Sequence, residues 1–218
     1  MNEAGSNPDR RTIIAGKAIS SLVAHAPWSW PVLSRPVMGF FDRAASGWDE
    51  RTGAGSLDHL APLAAGVLDV KTRPESILDV GCGTGAATLF LAREFPTARI
   101  RGVDISPAMI SRAGAKIGLD PEGRVAFREG DCSRLPWPDD SFDLLTAVNM
   151  PLFFSEMDRV LRPGGSVIVV ATLGEDTPFS TPERTVERKF ERLGLQRSGG
   201  GSAARGTWFT ATKTGGTR

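Results

Sequence analysis

The sequence predicts an α/β protein built on a doubly wound, mostly parallel sheet of seven strands. An antiparallel hairpin closes one edge, and an N-terminal helical cap precedes the sheet. Three observations predict this fold. From Ser76 onward, short apolar runs alternate with helical patterns, as in parallel strands joined by crossover helices. The first run, Ile77-Leu78-Asp79-Val80, passes directly into Gly81-Cys82-Gly83-Thr84-Gly85. Open α/β sheets hold ligands at such strand ends. Before Val70 the pattern is helical, broken at Pro27, Pro31, Pro36 and Gly53-Ala54-Gly55.

The elements follow in order. Met1 to Asp9 is polar and expected to be disordered, so the chain divides into a tail (1–9), a helical cap (10–73) and a sheet domain (74–218). Cap helices are expected at 11–25, 37–47 and 56–70. The first strand is 76–80, with the β-branched bias of an inner parallel strand, and a helix follows from Thr84 to Glu94. The second strand runs from Ala98 to Val103. Ser106-Pro107 then starts a helix, a capping residue before a proline at the first helical position. Strands are expected at 125–128 and 142–148, and a short helix at 155–161 leads to Pro163-Gly164-Gly165, read as a helix stop. A strand at 166–171, a helix at 181–194 and a glycine-rich hairpin at 195–213 complete the sheet.

Composition narrows the function. A chain of 218 residues with 40% hydrophobic content suits one large domain, or one domain with an appendage. The net charge of +1 gives no global signal for nucleic acid or an anionic membrane. No apolar run reaches the length of a membrane span, so no stable insertion is expected. Arg10-Arg11 and Ala24-His25-Ala26 resemble parts of an export signal, but Lys17, Ser20 and Ser21 interrupt the run, which reads as an amphipathic helix. The two cysteines, Cys82 and Cys132, suit reduced thiols in the cytoplasm. No metal-ligand cluster is apparent in the sequence.

The glycine loop alone indicates an adenosine ligand without naming it. Its bare backbone lets a flat group lie against the peptides, and the next helix aims its amides there. Asp104 ends the second strand, where a carboxylate can accept from both ribose hydroxyls. NAD and S-adenosylmethionine satisfy this equally.

Later segments separate the two. ILDVGCGTG (77–85) and Val103-Asp104-Ile105-Ser106 are followed by Glu129-Gly130-Asp131-Cys132, by the turn from Leu135 to Asp143, and by Glu156 to Gly165. Together they resemble class I S-adenosylmethionine-dependent methyltransferases of the small-molecule (type 11) branch, with their Rossmann-like sheet. The resemblance implies S-adenosylmethionine as cofactor and a small-molecule acceptor. By position it implies that Gly81, Gly83 and Gly85 flank the methionine and ribose. Asp79 would stand behind the loop and Asp104 would hold the ribose. Ile105 would lie on the adenine, Asp131 would accept from its amino group with Cys132 nearby, and Asn149 would face the methyl.

No general base is assigned. His59 is expected to pack rather than to catalyse, and Phe41 and Trp48 are expected as an apolar substrate wall or as core packing. One departure stands out. Only six residues separate Asn149 from Glu156, where relatives usually carry a longer loop and helix, so the cap is expected to cover the site. The competing functions are an NAD-dependent oxidoreductase and a non-catalytic S-adenosylmethionine-binding regulator. A dense basic patch for nucleic acid is missing from the sequence.

Overall fold

The computed structural model describes residues 8–120 and 122–215. Met1 to Asn7 of the polar tail lie outside the described residues. Asp9, grouped with that tail from sequence, is instead the N-cap of the first helix, accepting from the Thr12 amide at 2.9 Å.

The cap holds α1 (Arg10–His25), α2 (Trp30–Ala44) and the short α3 (Trp48–Thr52), and α4 (Leu57–Leu68) follows. Helix α2 starts seven residues before its expected start. Pro31 sits in its first turn, where no amide bond is required, and Pro36 is carried inside the helix. Two prolines that read as breaks are therefore a helix start and one omitted hydrogen bond.

Beyond the cap come β1 (Ser76–Val80), α5 (Ala86–Glu94), β2 (Arg99–Asp104), α6 (Pro107–Ala115), β3 (Val125–Glu129), β4 (Phe142–Val148), α7 (Phe154–Val160), β5 (Leu161–Ala171), α8 (Glu183–Glu191), β6 (Leu195–Ala203) and β7 (Gly206–Lys213). The sheet order is β3-β2-β1-β4-β5-β7-β6, with β7 antiparallel to both its neighbours. Strand β5 begins earlier than expected. Leu161 pairs with Phe142, but the next pair is Ser166 with Leu144, so Pro163-Gly164-Gly165 bulges out of the ladder.

Side chains alternate across the sheet and split the core in two. Leu78, Leu145 and Val167 face α7, α8 and the cap, where Val23, Trp30 and Val37 join them. Ile77, Leu144 and Ile168 face the other way, against Leu91 of α5 and Leu63 of α4. Helix α4 therefore packs as a layer of the sheet, although its sequence was grouped with the cap. The order in which strands are added reverses between the parallel β1 and β4, and a crevice opens at the carboxyl ends of these two strands.

Candidate functional site

The loop after β1 is shaped by its glycines for different reasons. Gly81, Gly83 and Gly85 all have positive φ. A Cβ on Gly81 would meet the Met150 sulfur at 2.7 Å, and one on Gly85 would meet the Phe127 ring at 2.6 Å. Only at Gly83 would a Cβ stand in open space. Gly85 thus serves packing of α5 against β3 and lies off the cavity wall, whereas Gly81 and Gly83 lie on it.

Asp104 ties two loops together. Its Oδ2 accepts from the Gly83 amide at 2.9 Å and its Oδ1 from the Ser106 amide at 2.9 Å. Burial raises its carboxyl above the usual range. Each oxygen retains a second lone-pair site, so two hydroxyls can still be accepted.

Asp79 is wholly buried behind the loop, accepting from Thr88 Oγ1 at 2.6 Å and Thr146 Oγ1 at 2.9 Å. Burial pushes its carboxyl up from 3.8 to about 6, against the pull of those two hydroxyls. The folded chain therefore holds this proton more tightly than the unfolded chain. The resulting stabilisation is complete below pH 3.8 and is lost as the pH rises through about 6. Asp79→Asn is accordingly expected to be more stable than wild type at pH 7, by roughly 1–3 kcal/mol, and level with it near pH 4. Urea unfolding at the two pH values tests this. A less stable variant at pH 7 would contradict it.

The cap reaches every loop at this end of the sheet from β1 to β3. Trp30 Nε1 donates to Asp131 Oδ1 at 2.8 Å, after β3. Asp42 Oδ1 accepts from Ser106 Oγ at 2.5 Å and from the Ala108 amide at 3.4 Å, after β2. Asp49 accepts from Thr84 Oγ1 at 2.5 Å, after β1, and pairs with Lys116, whose Nζ also donates to the Thr84 carbonyl at 2.9 Å. Asp131, which also accepts from the Ser133 amide, is thus an anchor for Trp30 and stands off the cavity wall. Both of these bonds fall on Oδ1.

These elements enclose a cavity of about 590 Å³. Asp79, Cys82, Asp104, Ile105, Cys132 and Asn149 line it from the sheet side. Burial raises both thiols, so they stay protonated. Asn149 has φ +53° and spends its side chain on Thr172, donating to Oγ1 at 2.7 Å and accepting from the amide at 2.9 Å. It therefore pins the end of β4 to the segment after β5.

From the cap side, Phe41 and Trp48 meet edge to face at 5.6 Å, and Phe179 closes on Phe41 at 5.3 Å. Among the wall residues given no part in the site from sequence are Phe179 and His59. Phe179 comes from the segment after β5, which carried no pattern. His59 lies on the wall with its imidazole depressed, chiefly by burial. Its one sequence signal was being a histidine close before the first strand. Among the described residues, no group of His, Cys, Asp and Glu could hold a metal.

Comparison with known proteins fits this geometry. Residues 77–165 match the family described as "Methyltransferase domain".

This segment is a class I S-adenosylmethionine-dependent methyltransferase domain.

The methyltransferase domain has relatives with different acceptors. Ajmaline N-methyltransferase of Rauvolfia serpentina is 30% identical over 149 residues, 65% of this chain and 49% of the relative. Demethylmenaquinone methyltransferase of Deinococcus radiodurans is 31% identical over 162 residues, 71% of this chain and 60% of the relative. The chain spans about half the length of the curated relatives it matches. Among solved structures, a SAM-dependent methyltransferase from Aquifex aeolicus aligns with TM-score 0.58 at 20% identity, covering 72% of this chain and 92% of that one. That likeness concerns the fold alone. Gly83 standing in open space and the acceptor capacity left on Asp104 both fit S-adenosylmethionine as the cofactor.

Proposed function

We propose that the chain as a whole moves a methyl group from S-adenosylmethionine to a small organic acceptor with an apolar, planar body. One observation carries this reading: a single continuous cavity joins the glycine loop and Asp104 to the aromatic wall of Phe41, Trp48 and Phe179. Asp104 holds the ribose, Gly81 and Gly83 admit the methionine and ribose portions, Ile105 covers the adenine, and Asp79 faces the amine. The chemistry that the cofactor supplies when bound is a methyl group activated on a sulfonium.

The residues of the chain then orient and enclose. Fixing the acceptor in line is worth on the order of 7–11 kcal/mol of barrier. The cap residues exclude water, and the aromatic wall favours a flat, apolar acceptor. A cytoplasmic setting belongs to the same proposal, since Cys82 and Cys132 are unpaired thiols.

A hydroxyl acceptor also has to lose a proton, and we assign that role to His59 because it lines the same cavity. Burial favours the neutral imidazole, the form that accepts. With a panel of phenols, amines and activated carbon acids, S-adenosylhomocysteine release is expected for at least one apolar planar member. His59→Gln is expected to lower kcat on a phenol by about a hundredfold while leaving cofactor affinity unchanged. An unaltered kcat on that phenol would remove His59 from the reaction. No turnover on any acceptor would favour a non-catalytic binding protein.

A further inference from the structure

The outer face of α2 is apolar where water would favour polar side chains. Trp28, in the turn before α2, is 82% exposed and Val32 is 78% exposed. Pro36 is also exposed, and Phe40 is 39% exposed while lining the cavity. Val32, Pro36 and Phe40 recur every four residues within α2, a spacing that places helical neighbours on one face, and Trp28 precedes them in the turn. The stripe therefore runs along α2 and ends at the cavity mouth. Exposed Arg35 and Arg43 lie three residues beyond Val32 and Phe40.

The charge of the segment that carries the stripe is one-sided. Residues 9–44 carry Arg10, Arg11, Lys17, Arg35 and Arg43 against Asp9 and Asp42 alone, so the remainder of the chain is net negative. Asp42 is turned to Ser106, and exposed Asp9 caps α1 through Thr12, so five cations stand against one exposed acid. All five cations are exposed, and the ion pairs among the described residues are made by others. The whole-chain balance of +1 conceals this segregation.

An exposed indole beside aliphatic side chains and arginines is the composition of a surface that lies in a lipid headgroup layer. Cations in excess are complementary to anionic lipid. Among the described residues no helix is long and apolar enough to cross a membrane, so contact through this face would be peripheral. We propose that the outer face of α2 docks the protein on anionic lipid surfaces, with the cavity mouth at Phe40 against the lipid. An apolar acceptor dissolved in the bilayer then reaches the aromatic wall without crossing water. That consequence rests on the methyl-transfer reading, whereas the docking does not.

The test is co-sedimentation of the full chain with phosphatidylglycerol/phosphatidylcholine vesicles and with pure phosphatidylcholine vesicles, without cofactor or acceptor. Binding is expected on the anionic vesicles, falling as salt is added. Trp28→Ser/Val32→Ser is expected to weaken it by about tenfold, and Arg35→Glu/Arg43→Glu to weaken it without touching the apolar residues. Leu119→Ser, at a fully exposed leucine beyond α6, is the control and is expected to bind as wild type. Equal binding to both vesicle types, or wild-type binding by both double variants, would overturn the proposal. So would a dimer in light scattering that Trp28→Ser/Val32→Ser converts to monomer, because the stripe would then be an interface between copies of the chain.

Discussion

Asp104→Ala is expected to weaken S-adenosylhomocysteine binding by about a hundredfold or more, as read by calorimetry. Two charge-assisted bonds to the ribose, worth roughly 1.5–3 kcal/mol each, disappear. The loss extends beyond the ligand, because the amides of Gly83 and Ser106 both donate to this carboxylate. Without it, the loops after β1 and β2 lose their common acceptor. Asp104→Asn should fall between wild type and alanine, since its amide oxygen serves one loop while its NH2 group opposes the other amide. Affinity within threefold of wild type for the alanine variant would show that the carboxylate serves the loops and not a ligand (threefold is roughly 0.65 kcal/mol, below one such bond).

Trp30→Ala should produce the largest loss of stability, about 3–5 kcal/mol in urea unfolding. Trp30 is 4% exposed, meets Phe153 edge to face at 5.0 Å, and belongs to the core shared by cap and sheet. It also joins α2 to the loop after β3 through Asp131. Trp30→Phe separates the two contributions. It keeps most of the packing and removes only the indole N–H, leaving Asp131 with the Ser133 amide, so about 1 kcal/mol is expected. An alanine variant as stable as wild type would mean that the cap is not held to the sheet through this residue.

The sheet was legible in the sequence because parallel strands advertise themselves locally. Ile77-Leu78-Asp79-Val80 is an apolar run ending in glycine, and Asp104 is an acid at the next strand end. What was not legible depends on pairing across long sequence distances. Trp30 and Asp131 are 101 residues apart, and no local pattern at Asp131 announces the indole that meets it. Gly85 reads like its neighbours Gly81 and Gly83, yet its Cβ position is taken by a ring from β3. The start of α2 was hidden by Pro31 and Pro36, whose local meaning depends on where the helix begins. His59 could be placed on a helix but not on a wall until α3 and α4 had been folded against the glycine loop. The expectation that the cap covers the site came from a short loop after Asn149, and cap residues do form much of the cavity wall.

Calorimetric titration of the full chain with S-adenosylhomocysteine, and separately with NAD, tests the central claim most directly. Micromolar, one-to-one binding of S-adenosylhomocysteine and no measurable binding of NAD are expected. Binding of NAD with none of S-adenosylhomocysteine would contradict it.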